Sequence, residues 1–251
     1  MKRALAVAAH PDDIEFMMAG TLLLLRDAGY EIHYMNIADG SLGSNVYDAA
    51  ELAERRRAEA MRSAALIHAV YHPSICRDME IYVNHETLAQ LVPVIREIAP
   101  EILLTHGPYD YMEDHINAGR LAVSAAFARG MRNFRCTPPG AVDNEVAIYH
   151  SLPLSLKDQL NRPVLPELFV DISGVIAVKR AMLACHQTQK EWLDASQGLN
   201  AYLDDMEGRC RRVGALSGVF PLAEGWLRHN PIGFCAENFD PLRQALGEKI
   251  T

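Results

Sequence analysis

The hydrophobic and polar positions along the chain form two alternating patterns, short apolar runs and longer amphipathic segments. The apolar runs have the length of buried strands, and they predict strands at 4–8, 31–37, 69–72, 102–106, 145–150 and 168–172. The amphipathic segments predict helices at 15–27, 51–67, 85–99, 116–132, 174–189 and 191–213. Because strands that alternate with helices are typical of α/β proteins, we expect a Rossmann-like, doubly wound and mostly parallel sheet.

The composition of the chain shifts after about residue 133, where Pro and Gly mark a loop at 136–140. A length of 251 residues lies within the range of a single α/β domain. We therefore expect one domain, with a Rossmann-like portion over about 1–133 and a C-terminal portion over about 134–251. The tail at 228–251 fits no predicted element, and one hypothesis is that it packs across a subunit contact.

The first predicted strand ends in the motif A-H-P-D-D, which contains His10, Pro11, Asp12 and Asp13. Ligands of open α/β sheets bind beyond the carboxyl ends of the strands. Two carboxylates and an imidazole are costly to hold close together unless a cation shares them, and Pro11 stiffens the turn. The motif therefore indicates half of a metal site. The alternative is a solvated turn whose acidic side chains only cap the following helix.

A second predicted strand ends in a loop at 110–115 that carries further Asp and His residues. If the two strands are neighbours in one parallel sheet, His115 comes close to His10 and Asp13. Two imidazoles and one carboxylate that leave positions open are typical of a catalytic zinc site, which lowers the pKa of a bound water to about 7. His106 lies inside the apolar run, which favours a packed strand residue over a ligand.

Together, A-H-P-D-D at 9–13 and D-x-x-x-D-H at 110–115 resemble the PIG-L/LmbE family of zinc-dependent N-acetylglucosamine deacetylases and related amidases. The form H-P-D-D-x-E resembles the bacterial branch that includes bacillithiol-pathway deacetylases. Weaker matches continue to about residue 226, at Arg56 to Glu59, Asp78, Asp171 to Ser173, Lys179, His186 to Gln189 and Ala223 to Trp226. The resemblance implies that the C-terminal portion folds over the sheet edge and closes the pocket.

The resemblance also implies roles for individual side chains. The implied zinc ligands are His10, Asp13 and His115, although affinity alone does not select zinc over iron or cobalt. Asp12 would be the general base that activates water, Asp114 would orient a neighbouring ligand, and Arg56 and Asp78 would contact substrate hydroxyls. For Arg56 the alternative is a solvated face, because its helix is rich in close ion pairs.

One position departs from the family. Most relatives have a His two residues before Asp114, where this chain has Met112. A thioether neither donates a proton nor stabilises an oxyanion at useful strength. Asp12 could return its proton to the amine, or another acid could replace the missing His, with His186 the first candidate ahead of Tyr111. For His186 the alternative is an ordinary polar residue on its helix, and a further alternative is altered or weak activity.

Composition narrows the class of protein. The net charge of −8 argues against nucleic-acid binding, and no apolar run is long enough to span a membrane. The start of the chain lacks a signal-peptide cleavage pattern. Five cysteines without a C-x-x-C motif favour reduced thiols in the cytoplasm.

We therefore expect a zinc-dependent hydrolase that removes an N-acetyl group from an N-acetylglucosamine-type substrate. An alternative is an amidase for another amide, such as a thiol-sugar conjugate. A second alternative is a non-catalytic metal-binding or sugar-binding protein, which Met112 favours and Asp12 argues against. The expected partner is a small amino-sugar compound, without nucleic acid or membrane insertion. The resemblance also implies that the protein is a homo-oligomer, since relatives are often trimers or hexamers.

Overall fold

A computed structural model describes residues 1–197 and 201–251, with the main chain alone described for 194–197. A seven-stranded sheet in the order β3-β2-β1-β4-β5-β7-β6 forms the centre of the described chain. The strands are β1 Arg3–Ala8, β2 Glu31–Asn36, β3 Val70–His72, β4 Ile102–His106, β5 Ala147–Ser151, β6 Leu168–Asp171 and β7 Ala223–Arg228. The predicted Rossmann-like, doubly wound and mostly parallel sheet is confirmed.

The strand order reverses beside β1. This strand pairs in parallel with β2 on one side, where Ala4 lies opposite Ile32, and with β4 on the other, where Ala4 lies opposite Ile102. A crevice opens beyond the carboxyl ends of the strands at such a switch point. Because both sequence motifs directly follow these two neighbouring strands, the fold brings them to the same crevice.

Nine helices cover the sheet in the described ranges. They are α1 Asp13–Met17, α2 Ala19–Asp27, α3 Ala49–Leu66, α4 His85–Ile98, α5 Glu113–Ala128, α6 Ile176–Leu183, α7 Gln187–Gln197, α8 Tyr202–Ser217 and α9 Pro241–Leu246. Alternate residues of β1 enter different cores: Ala4, Ala6 and Ala8 belong to one, and Leu5 and Val7 to the other. Since both faces of the strand are buried, its sequence is a continuous apolar run.

The predicted helix at 15–27 is two helices, α1 and α2, with the break at Met18, whose φ is −132°. A buried ion pair stabilises the free backbone groups at this break. Lys179 Nζ donates to the Phe16 carbonyl, and the Glu224 carboxylate accepts from the Gly20 and Thr21 amides. The sequence did not reveal the break because the residues that stabilise it lie more than 150 positions away.

The helix predicted at 116–132 begins earlier, at Glu113, and ends at Ala128. Asp114 and His115 therefore lie in its first turn and not in a loop. Acidic side chains are favourable there, because the helix dipole is positive at its N-terminus. The helical start fixes the direction of both side chains toward the crevice.

The C-terminal portion differs most from the prediction. The helices predicted at 174–189 and 191–213 are α6, α7 and α8 over the described chain, and positions 198–200 of the second prediction lie outside the described residues. Strand β7 was not predicted, because Gly225 interrupts its short run and disfavours a strand. It lies antiparallel between β5 and β6, so part of the C-terminal portion extends the central sheet.

The tail at 228–251 packs against its own chain. Asp240 accepts a hydrogen bond from the Tyr149 hydroxyl at 2.7 Å, and the Phe234 carbonyl accepts one from Arg129 at 2.7 Å. These bonds hold the tail against β5 and α5 of its own chain. Among the described residues, no helix combines the length and the hydropathy needed to cross a membrane.

Candidate metal and catalytic site

Three side chains converge at the crevice: His10 follows β1, Asp13 begins α1, and His115 lies in the first turn of α5. His115 Nε2 lies 3.3 Å from Asp13 Oδ1, and His10 Nδ1 lies 3.4 Å from Asp13 Oδ2. One ligand atom from each residue falls within 4.8 Å of the others. The structure thus brings the predicted ligand His115 to His10 and Asp13, which precede it by over a hundred residues in the sequence.

The spacing of these atoms leaves room for one divalent metal ion among them. The two nitrogen–oxygen separations run to different oxygens of Asp13, and one ligand atom from each residue lies within 4.8 Å of the others. These two separations are too long for good hydrogen bonds, so the three side chains do not simply satisfy one another. The donor set, two imidazoles and a carboxylate, suits zinc and similar ions.

A carboxylate lies beside the other ring nitrogen of each histidine. Asp114 Oδ2 lies 3.0 Å from His10 Nε2 and also accepts from the Met79 amide at 2.7 Å. Asp110 Oδ1 lies 3.1 Å from His115 Nδ1, at ion-pair distance. Such carboxylates fix the orientation of metal-binding imidazoles. The orienting contact expected of Asp114 is present, whereas Asp110 was missed although it begins the second motif.

The same carboxylates raise the pKa of both imidazole rings. Burial lowers the pKa of His10, but the carboxylates of Asp114 and Asp13 outweigh it and raise the pKa to about 9. Burial also opposes the charged form of His115, but Asp13 and Asp110 raise its pKa to about 10. Without another cation, both rings are protonated at neutral pH.

We expect metal binding at pH 7 to release about two protons, because both imidazoles must deprotonate to become ligands. Apparent affinity should therefore rise with pH, by about a hundredfold per pH unit between pH 6 and 8. Calorimetric titration of Zn²⁺ into metal-free protein, in buffers with different ionisation enthalpies, measures the proton count. His115→Ala should weaken binding and release about one proton fewer, while the exposed control His68→Ala should change neither. Unchanged binding by His115→Ala would exclude this ligand set.

His106 lies beside this cluster, and its ligand atom is close enough to those of Asp110 and His115 for the three to hold a metal ion. However, its Nε2 atom, which is 3.3 Å from Asp13, already accepts a hydrogen bond from the Ala9 amide at 2.9 Å. Its ring is fully buried and stacks on His115, with centroids 4.2 Å apart. This geometry is that of a packed strand residue that supports a ligand.

Asp12 lies next to the cluster, on the cavity wall. Its backbone is in the left-handed region, with φ at 109°, a conformation that Asp tolerates better than most residues. Burial and the negative charge of Asp13 raise the pKa of Asp12 to about 7, against the opposing effects of His186 and Tyr202. A pKa near neutrality suits a group that both accepts and returns a proton.

The cluster opens into a cavity of about 710 Å³ whose described lining includes Asp12, Arg56 and Asp78. Arg56 is only 3% exposed, which excludes the solvated-face interpretation. Asp78 accepts hydrogen bonds from the Gly40 amide at 2.7 Å and the Leu42 amide at 3.1 Å. Asp78 thus holds the loop after β2 against the cavity, a contact that the sequence did not indicate.

Comparisons with known proteins agree with this geometry. The family model described as "PIG-L: GlcNAc-PI de-N-acetylase" matches residues 5–126. The diacetylchitobiose deacetylase of Thermococcus kodakarensis is 30% identical over 201 residues, which cover 75% of this chain and 70% of that protein. This chain belongs to the PIG-L family.

Two further proteins extend the comparison. The 4-oxalmesaconate hydratase of Pseudomonas putida is 27% identical over 199 residues, which cover 75% of this chain and 74% of that protein. The N,N'-diacetylchitobiose deacetylase structure of Pyrococcus horikoshii superposes with a TM-score of 0.76 at 23% identity, covering 96% of this chain and 88% of that chain. The fold therefore extends beyond the matched family segment to nearly the whole chain.

The weaker PIG-L motifs join the two portions of the chain. Glu59 on α3 accepts from the Thr188 amide at 3.0 Å and from its hydroxyl at 2.7 Å. Arg56 on the same helix donates to Gln189 and to the Gly43 carbonyl. These contacts fix α7 and the loop after β2 on the same cavity wall.

His186, the expected replacement for the missing family His, is buried beneath the wall of the cavity. Its side chain is 1% exposed, and it is not among the described residues that line the cavity. Its Nε2 atom lies 3.2 Å from Glu15 Oε1. Burial lowers the pKa of His186, but the carboxylates of Glu15, Asp12 and Glu59 together outweigh burial and raise it. His186 therefore balances the buried charge of Glu15 behind Asp12, whereas Met112 and Tyr111 do line the cavity.

Proposed function

We propose that this protein is a zinc-dependent N-deacetylase that releases acetate from an N-acetylglucosamine-type substrate. The observation that carries the proposal is Asp12, a buried carboxylate beside the convergent His10, Asp13 and His115 on the wall of one cavity. A site that only holds a metal does not need this additional carboxylate. The relative named diacetylchitobiose deacetylase supports the acetylated amino sugar as substrate class.

In this proposal the metal, when bound, activates water and polarises the amide carbonyl. Asp12 accepts a proton from the attacking water as that water adds to the amide carbon. The C–N bond then breaks, and Asp12 returns the proton to the amine nitrogen, since Met112 donates none. The products are acetate and a free amine.

The cavity wall holds the sugar in this proposal. Arg56 lines the cavity, and its guanidinium would donate a hydrogen bond to a substrate hydroxyl there. Asp78, whose oxygens bind loop amides, would act mainly by keeping that loop in contact with the sugar. Asp114 and Asp110 would keep the two histidines in their ligand orientation.

The proposal is tested by acetate and amine release from N,N'-diacetylchitobiose and other N-acetylglucosamine conjugates. The protein is first stripped of metal and then reloaded with Zn²⁺, Fe²⁺ or Co²⁺. Release that requires metal supports the deacetylase, and the relative rates identify the preferred conjugate and ion. Stoichiometric metal binding without any release would contradict it.

Met112 provides a second prediction. We expect Met112→His to accelerate deacetylation about tenfold, because an imidazole at this position can protonate the leaving amine. Met112→Leu is the matched control and should leave the rate unchanged, since it keeps the volume and removes only the sulfur. Steady-state acetate release measures both variants. A loss of activity in Met112→Leu would show that the thioether itself has a role.

One observation favours a second candidate function, hydration of a double bond. Hydration expels no amine: Asp12 would take a proton from the adding water and return it to the substrate carbon, and one relative is named 4-oxalmesaconate hydratase. Loss of 4-oxalmesaconate absorbance, measured beside acetate release with the same metal-loaded protein, discriminates between the two reactions. Hydration without acetate release would replace the deacetylase proposal.

A further inference from the structure

Tyr202 makes a direct contact with the proposed general base. It begins α8, and its hydroxyl donates a hydrogen bond of 2.6 Å to Asp12 Oδ2. The two residues lie 190 positions apart in the sequence. Tyr202 is 3% exposed and lines the cavity, so the contact is part of the site wall.

The tyrosine ring is fixed independently of its hydroxyl. It packs edge-on against Phe16 of α1, with ring centroids 5.1 Å apart and planes at 70°. Asp12 directly precedes the same helix. Ring and hydroxyl therefore contact two points of one rigid segment, which leaves little freedom for the phenol to leave the carboxylate.

The hydrogen bond has a fixed direction. Burial and the negative charge of Asp12 raise the pKa of Tyr202 well above 10, so the phenol keeps the proton that it donates to the carboxylate. One oxygen of Asp12 is thereby occupied. Oδ1 has no protein donor among the hydrogen bonds of the described residues.

We propose that Tyr202 is a positioning residue for catalysis, which holds Oδ2 of Asp12 so that Oδ1 faces the attacking water. This inference rests on the proposed function of Asp12 as general base. It also gives α8 a role in the reaction, because the C-terminal portion supplies the group that orients a base from the first motif. Tyr202 acts through Asp12 and needs no contact with the substrate.

The test is Tyr202→Phe, which keeps the ring against Phe16 and removes only the hydroxyl. We expect kcat for metal-loaded protein on N,N'-diacetylchitobiose to fall by about 10- to 100-fold, the order of loss that small misplacements of catalytic groups produce. KM and zinc content should not change. Tyr109→Phe is the matched control, because Tyr109 is exposed and is not among the cavity-lining residues.

The decisive comparison repeats Tyr202→Phe in the Asp12→Asn background. Because a positioning residue loses its effect when its target is lost, the second substitution should then lower kcat by less than about twofold. An equal loss in both backgrounds, or a change confined to KM, would overturn the proposal in favour of direct substrate contact.

Urea unfolding provides a readout that does not depend on turnover. Tyr202→Phe should lower the unfolding midpoint in the natural chain and have a much smaller effect beside Asp12→Ala, because the bond is then already lost. Equal shifts in both backgrounds would show that the hydroxyl does not bind Asp12. If the unsubstituted protein released no acetate, that result would contradict the proposed function. The urea comparison would still test whether Tyr202 bonds Asp12.

Discussion

Replacement of Asp12 by Asn should lower kcat for acetate release by about two to four orders of magnitude, the usual contribution of a general base. The amide cannot accept the proton from water, but its oxygen can still accept the Tyr202 hydrogen bond. Because Asp12 is not among the clustered ligands, zinc content should be unchanged. Acetate release and metal analysis on the same protein sample measure both quantities.

Asp205→Asn is the matched control for this substitution. Asp205 also lines the cavity, but it is exposed, so salt screens its charge and kcat should remain within about twofold. If Asp12→Asn kept near-natural turnover, Asp12 would have no role as base. If Asp12→Asn lost zinc together with activity, Asp12 would be a metal ligand, and its assignment as a base alone would be wrong.

Lys179→Met should lower the free energy of unfolding by about 3–5 kcal/mol, because it breaks a fully buried ion pair. Lys179 and Glu224 are both 0% exposed and bonded to each other. The variant leaves the Glu224 charge without its cation and the Phe16 carbonyl without its donor. Urea unfolding of the metal-free protein, followed by circular dichroism, measures the change.

Lys157→Met removes the same charged group from an exposed site, where its amine donates to Asn161 Oδ1. That control should change the free energy of unfolding by less than about 0.5 kcal/mol. The double variant Lys179→Met/Glu224→Gln should cost less than the sum of its single changes, because no buried charge then lacks a partner. Additive losses would mean that the two side chains stabilise the fold separately.

The order of elements and the two strand-end motifs could be derived from the sequence. Apolar runs mark β1 and β4 because both faces of these strands are buried. His10 and Asp13 come just after the first run, and His115 lies in the helix that follows the second, so parallel neighbouring strands bring all three to the same edge of the sheet. The break at Met18 and strand β7 escaped prediction, since long-range contacts stabilise both against their local propensity.

Site residues whose roles depend on distant partners were the hardest to predict. His186 occupies a motif position, yet its nitrogen faces Glu15 behind the cavity. Tyr202 belongs to no motif, yet it bonds Asp12. In both cases the chemistry depends on which groups α6, α7 and α8 bring near α1, and local patterns carry no such information.

The sequence by itself therefore determined the parallel sheet, the crevice at its switch point and the kind of side chains there. Hydrophobic periodicity and the chemistry of imidazole and carboxylate ligands are local properties, so they can be read from neighbouring residues. Only the tertiary structure decided the orientation of the imidazoles by Asp110 and Asp114, the burial of Arg56 and the contact between Tyr202 and Asp12. These depend on distances between elements far apart in the chain, which are fixed when both cores pack together.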